Sequence, residues 1–171
     1  MNLLYLDMDG VVADFNSYAN AVVGREINRN GTDLTTEEWD KLTAIENFYL
    51  QLSPTPYGKR LVDVAKSYAN YSVQFLTAVP RKATMPTAEA DKWKWLSKYF
   101  PGVPMRIGPH SRDKWRWSCP GDILVDDKES NCLDWYRAGG KAIMHDGNIE
   151  TTLSNLDKAT KVGKIALILN L

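Results

Sequence analysis

The sequence is poor in the residues that bind soft metals or staple small domains. It has two cysteines and two histidines in 171 residues. Cys119 and Cys132 have neither a zinc-type spacing nor the density of a disulfide scaffold, so both read as reduced thiols without a redox or metal role. No apolar run approaches the length of a membrane span, and the opening MNLLYL is too short for the core of a signal peptide. The expectation is a cytoplasmic protein with no membrane partner. An excess of one charge is also lacking: 21 Lys and Arg balance 21 Asp and Glu. Bulk attraction to polyanions is thereby excluded and no stable nucleic-acid partner is expected. Internal repeats and low-complexity segments are missing too.

What is present is an ordinary globular composition, 44% hydrophobic. A chain of this size hides roughly 70% of its extended surface on folding, enough for one core, so one domain is expected, with room for a small insertion. Short apolar runs closed by polar or Gly/Pro residues predict strands at 3–6, 71–76, 104–107, 122–125 and 142–144. Helical patterns lie between most of them, and strands alternating with helices imply an α/β fold with a Rossmann-like parallel sheet. A helix over 56–69 presents Leu61, Val62, Ala65, Tyr68 and Ala69 on one face, with Pro56 in its first turn. A second, 88–100, stops before Pro101 and Gly102, and a third, 130–138, ends at Gly139 or Gly140. A helix is expected at 149–161, and 164–171 reads as an edge strand or a docked tail.

The stretch from 15 to 54 does not fit a single crossover. It holds a helix ending near Gly24, a polar turn at 28–33 and a second helix opening at Thr35, which has capping-box spacing with Glu38. About forty residues inserted after the first strand read as a small helical cap, the alternative being a long decorated loop. The expected division is 1–14 and 71–171 as the α/β core and 15–70 as the cap with its return helix.

Chemistry gathers at predicted strand ends. LDMDGVVADF places Asp7 and Asp9 two apart where the first strand becomes a loop, and Gly10 allows the tight exit. Open α/β sheets bind ligands at this C-terminal edge. FLTAVP leaves the Thr77 hydroxyl, and DILVDDK leaves Asp126 and Asp127, on the same edge. Each alone reads more readily as turn or cap chemistry; in a parallel sheet all converge on one rim. Four carboxylates there repel, so a cation must sit among them. Hard oxygen donors favour Mg²⁺, whereas His110, His145 and the cysteines form no zinc ligand cluster. Two lysines are candidates. Lys92 heads an apolar helix face with Trp95, Leu96 and Tyr99 and is either snorkelling or functional; Lys114 lies in SRDKW, after the third strand.

The order Asp-x-Asp, Thr, Lys, Asp-Asp resembles the haloacid dehalogenase (HAD) superfamily of aspartate-nucleophile phosphatases. More narrowly, it resembles the 5'(3')-deoxyribonucleotidase family, including its phage and bacterial members, over residues 3 to about 146. DMDGVVADF is similar to the nucleophile motif, LTAVP to the Ser/Thr motif, SRDK to the lysine motif and DILVDD to the acidic motif. NFYLQLSPTP resembles the cap segment that places aromatic side chains around the base, and DKWKWLSKYF the helix with a phosphate-facing lysine, which selects Lys92. Two departures stand out. Ala78 replaces a second hydroxyl after Thr77, leaving backbone N–H groups to hold phosphate there, and the spacing from Lys114 to Asp126 is slightly longer than in mammalian relatives.

The resemblance implies hydrolysis of a nucleoside monophosphate by attack of Asp7 on phosphorus and acid–base work by Asp9. It implies Mg²⁺ held by Asp7, the Asp9 carbonyl, Asp127 and phosphate, with Thr77, Lys92 and Lys114 on the phosphate oxygens. Asp126 orients metal-bound water or Lys114, and the sequence does not separate its role from that of Asp127. Phe15, Phe48 and Tyr49 either sandwich the base or form the cap's own core. The alternatives are a polynucleotide 3'-phosphatase, suggested by the basic and aromatic residues of WKW and KWRW, and a receiver-like phosphate switch, whose acidic pair would come first rather than last. The expected partner is a small nucleotide, and a homodimer is left open.

Overall fold

The computed structural model describes residues 1–29, 31–108 and 110–161 and the backbone of 167–168. The elements run β1 (Asn2–Leu6), α1 (Phe15–Val23), α2 (Thr36–Thr43), α3 (Gly58–Ser67), β2 (Tyr71–Ala78), α4 (Ala88–Tyr99), β3 (Met105–Gly108), β4 (Ile123–Asp126), α5 (Glu129–Arg137), β5 (Lys141–Met144), α6 (Ile149–Lys161) and β6 (Leu167–Ile168). Two 3₁₀ helices, Phe48–Gln51 and Ser111–Trp117, complete the described residues. None of the helices is long and apolar enough to cross a membrane.

The six strands form one parallel sheet in the order β3-β2-β1-β4-β5-β6. Leu4, Tyr5 and Leu6 of β1 and all four residues of β4 are buried, as continuous apolar runs must be when helices cover both faces of a sheet. β1 is the switch point. Leu4 pairs with Val73 of β2 on one side and Ile123 of β4 on the other; the chain winds outward through β2 and β3, then returns to β4. A crevice opens at the carboxyl ends of strands where the winding reverses, so topology alone places the site above Leu6. The expected edge strand within 164–171 is β6, paired to β5 through Ala142 and Leu167; the rest of that stretch lies outside the described residues.

Helix α3 is shorter than its apolar stripe predicts. It begins at Gly58, where a Cβ would lie 2.9 Å from Thr55 Oγ1 and 3.2 Å from the Val12 backbone. It ends before Tyr68, whose extended backbone (ψ 99°) turns the chain into β2, and Ala69 is exposed. Leu61, Val62 and Ala65 are the buried face.

Residues 15–52 form the helical cap. Asp14 caps α1 through Ser17 N–H, and Gly24 ends it at φ 80°. Thr35 and Glu38 form the expected reciprocal capping box on α2. Arg25 ties the intervening loop together, donating to the carboxylates of Asp33 and Glu38 and to the carbonyls of Glu26 and Asp33. The chain enters and leaves the cap side by side: Asp14 N–H donates to Ser53 O, Thr55 N–H to Val12 O and the Thr55 hydroxyl to Val11 O. Trp95 of α4 then anchors the returning segment, donating from Nε1 to Leu52 O at 2.8 Å.

On the other flank, fully buried His145 follows β5 and joins two helices to the sheet. The Thr152 hydroxyl donates to Asn148 O and so accepts from Nδ1–H of His145 at 2.8 Å; Nε2 then accepts from the Tyr57 hydroxyl at 3.0 Å. Burial first, and the Arg29 charge second, pull His145 down to about 4. An unfolded histidine titrates near 6.5, so between these values the unfolded state binds more protons and stability falls as the pH falls. Urea denaturation should therefore show the advantage of wild type over His145→Gln shrinking, by at most about 3 kcal/mol, between about pH 7 and pH 4. A pH-independent difference would contradict this.

Candidate active site

Asp7 sits on the last rung of the sheet, its N–H still bonded to Val125 O at 2.9 Å. Its Oδ1 accepts from Met8 N–H at 2.7 Å and from Lys114 Nζ at 2.7 Å. Oδ2 accepts no hydrogen bond from the described residues. The Lys114 ammonium, 2% exposed, bridges from Asp7 to Asp126 Oδ2 at 2.7 Å. Burial pulls its pKa down, but the charges of Asp126 and Asp7 outweigh that and raise it.

The acidic pair at the end of β4 divides cleanly. Asp126 is fully buried, and both of its oxygens are engaged. Oδ1 accepts from Lys128 N–H and Asn131 Nδ2, and Oδ2 from Lys114 and Asn131 Nδ2. Asp127 accepts no hydrogen bond from the described residues. Its carboxylate packs on Gly10, where a Cβ would lie 2.1 Å from Asp127 Oδ2. At φ 74° Gly10 therefore serves both the tight exit and the approach of the acid. One oxygen each from Asp7, Asp126 and Asp127 lie within 4.8 Å of one another. Burial pushes Asp7 up to about 7 against the pull of Lys114, with Asp126 and Asp9 adding to the rise. Burial, then Asp126 and Asp7, raise Asp127 well above the usual carboxylate range. A hard divalent cation fits this donor set, since Asp7 Oδ2 and the Asp127 carboxylate are both unclaimed by protein donors.

Lys92 is placed differently from the phosphate-facing expectation, and differently from a snorkelling one. It is fully buried and uses three N–H bonds: to Asp9 Oδ2 at 2.6 Å, Thr77 Oγ1 at 2.8 Å and Ala78 O at 2.7 Å. Its ammonium lies 4.3 Å from the Tyr49 ring centre. Thr77 is fully buried beneath it. Lys92 and Thr77 thus form the floor under Asp9, and Ala78 is the β2 residue that reaches the cavity wall.

That cavity, about 280 Å³, lies between rim and cap, at the small end of small-molecule sites. Asp7, Asp9, Lys114 and Asp127 line its base, and Phe15, Asn16, Arg29, Trp39 and Tyr49 line its cap side. Phe48 is the correction among the expected aromatics. It is 1% exposed and does not line this cavity, because it packs edge-on against Phe15, Tyr18 and Tyr49 as the cap's core. Tyr49 is 3% exposed and has the Lys92 ammonium beside its ring. Trp39, Asn16, Arg29 and Asn131 are lining residues the sequence reading did not select. Trp39, three residues before buried Leu42 on α2, carried a signal in its helical spacing; Arg29 sat in a polar turn and carried none.

Lys92→Met keeps the aliphatic stem but strands a buried acceptor at Thr77 and partly buried ones at Asp9 and Ala78. The variant should be less stable by about 1–3 kcal/mol in urea denaturation. Unaltered stability would mean that these acceptors are satisfied without the ammonium.

No family model matches the chain, and no curated protein matches it in sequence. Among solved structures, it is similar to a hydrolase from Pseudomonas syringae, with a TM-score of 0.50 at 12% identity over 97% of this chain and 92% of that one. It is also similar to a D,D-heptose 1,7-bisphosphate phosphatase from B. bronchiseptica complexed with magnesium and phosphate, with a TM-score of 0.46 at 18% identity over 91% and 87% of the two chains. At such identities the likeness is one of fold: the chain has an α/β, Rossmann-like fold built on one parallel sheet, with a small helical cap after the first strand.

Proposed function

We propose that this protein is a Mg²⁺-dependent phosphatase that hydrolyses (deoxy)nucleoside monophosphates to nucleoside and phosphate through an aspartyl phosphate on Asp7. The observation that carries the reading is the separate pairing of the two motif acids: Asp7 with Lys114 and Asp9 with Lys92. One acid can then serve as nucleophile and the other as proton carrier.

Lys114 fixes the Asp7 carboxylate, one oxygen of which attacks phosphorus in line. A phosphorus–aspartate bond forms as the bond to the nucleoside oxygen breaks, and Asp9 gives that oxygen its proton. The Lys92 ammonium, 2.6 Å from Asp9 Oδ2, stabilises the carboxylate this leaves. Asp9 then takes a proton from the water that attacks the phosphoaspartate, and phosphate departs with Asp7 restored. Asp126 holds Lys114 between itself and Asp7. Mg²⁺, held by Asp7, Asp127 and the Asp9 carbonyl, would supply charge neutralisation at the phosphate oxygens. On the cap side, Phe15 and Trp39, with ring centres 6.2 Å apart, offer the apolar wall for a base.

The test is phosphate release from nucleoside monophosphates, sugar phosphates, p-nitrophenyl phosphate and a 3'-phosphorylated oligonucleotide, each with Mg²⁺ and with EDTA. Nucleoside monophosphates should be preferred, and EDTA should abolish turnover. Exposed Trp115 and Trp117, faced by Arg116 and Arg106, favour the polynucleotide alternative; a preference for the oligonucleotide that weakens steeply with salt would establish it instead. Asp7→Asn should fold normally and lose at least about a thousandfold in kcat, because an amide is a poor nucleophile. Full turnover by that folded variant would sink the covalent route. Trp39→Ala should raise KM for nucleotides about tenfold and leave p-nitrophenyl phosphate hydrolysis unchanged.

A further inference from the structure

We infer that Arg29, delivered by the cap, binds the phosphate of the substrate, so that the anion site is complete only when cap and core meet. The inference rests on the phosphatase reading of the same cavity and adds to it a residue outside the four rim motifs.

Arg29 is half-buried on the cavity wall, and the core is shaped to receive it. Its Nη2 donates to Gly10 O at 3.2 Å, beside the glycine on which Asp127 packs. Its Nη1 lies against Gly147, in the loop after β5, where a Cβ would come within 2.2 Å. The guanidinium therefore occupies a slot between two core loops although α1 and its following turn carry it.

Its charge is not spoken for. Among the described residues no carboxylate lies within 4 Å of it, while Lys114 and Lys92 are committed to the rim acids. Its Nε is buried without a partner. Its charge also acts on Asp127, the rim acid that no donor among the described residues claims. Lys128 lines the cavity and is also unpaired among the described residues, but it belongs to the core and stays whatever the cap does. A guanidinium lining the same cavity as unclaimed carboxylates suits a group that presents oxygens and negative charge to one side and accepts a cation on the other. Phosphate does both, and the planar fork of Arg matches its oxygens in pairs.

A role as a latch alone, donating to Gly10 O, would hold the cap down without touching substrate. Titration calorimetry with inorganic phosphate in the presence of Mg²⁺ separates the two, using wild type, Arg29→Gln, Arg29→Lys and the charge control Lys41→Gln, an exposed cap residue. Arg29→Gln should weaken phosphate binding about 10- to 100-fold, Arg29→Lys should fall between it and wild type, and Lys41→Gln should stay within about twofold. KM for a nucleotide and for p-nitrophenyl phosphate should rise together in Arg29→Gln. Wild-type affinity in Arg29→Gln, equal losses in Arg29→Gln and Lys41→Gln, or no phosphate binding by wild type would each overturn the inference. If Arg29→Gln does not fold, Arg29→Lys decides: undiminished affinity with this less well-matched cation counts against phosphate contact. Because phosphate binding is read without turnover, a protein that binds phosphate through Arg29 yet hydrolyses no nucleotide would overturn the nucleotidase reading and leave this one standing.

Discussion

Two buried ammonium groups hold three of the four carboxylates gathered at one edge of the sheet. A like-charge pair near contact costs about 1 kcal/mol in water and about 4 kcal/mol at an effective dielectric of 20, so Asp7, Asp9, Asp126 and Asp127 could not share the rim unaided. Desolvating a lysine is itself costly unless every N–H finds an acceptor. Much of the local structure answers that requirement: Thr77 Oγ1 and Ala78 O complete Lys92, while Asp7 and Asp126 flank Lys114.

The sheet order makes this possible. Both lysines come from segments that follow the outward-wound strands β2 and β3, and the acidic pair comes from β4 on the other side of the switch point. β1 lies between and supplies Asp7 and Asp9, so each motif acid is approached by its own cation from a different element. The same geometry separates Asp126 from its neighbour: successive residues leaving a strand point to opposite sides, one toward Lys114 and Asn131, the other toward Gly10 and the open rim.

Much of this was legible in the sequence because it rests on local patterns. Apolar runs marked the strands, the Thr35–Glu38 box marked α2, and polar residues at strand ends marked the rim. What was not legible depends on distant packing. Phe48 and Phe15 look alike in sequence, yet the first is walled in by Tyr18 and Tyr49 and the second borders the cavity. The direction of the Lys92 ammonium is set by Asp9, 83 residues away, and the slot for Arg29 is cut by Gly10 and Gly147, neither of which its own neighbourhood announces.

The two chain segments bonded together at the base of the cap bear on how such a protein can change. Val11, Val12 and Asp14 on the way in are bonded to Thr55 and Ser53 on the way out, so the ends of the insertion are clamped together whatever lies between them. Closing a loop grows costlier only with the logarithm of its length, about 0.6 kcal/mol for each doubling. Segments could therefore be gained, lost or exchanged above that clamp without moving β1 against β2. Substrate range could drift through the insertion while the acids and lysines beneath keep their register.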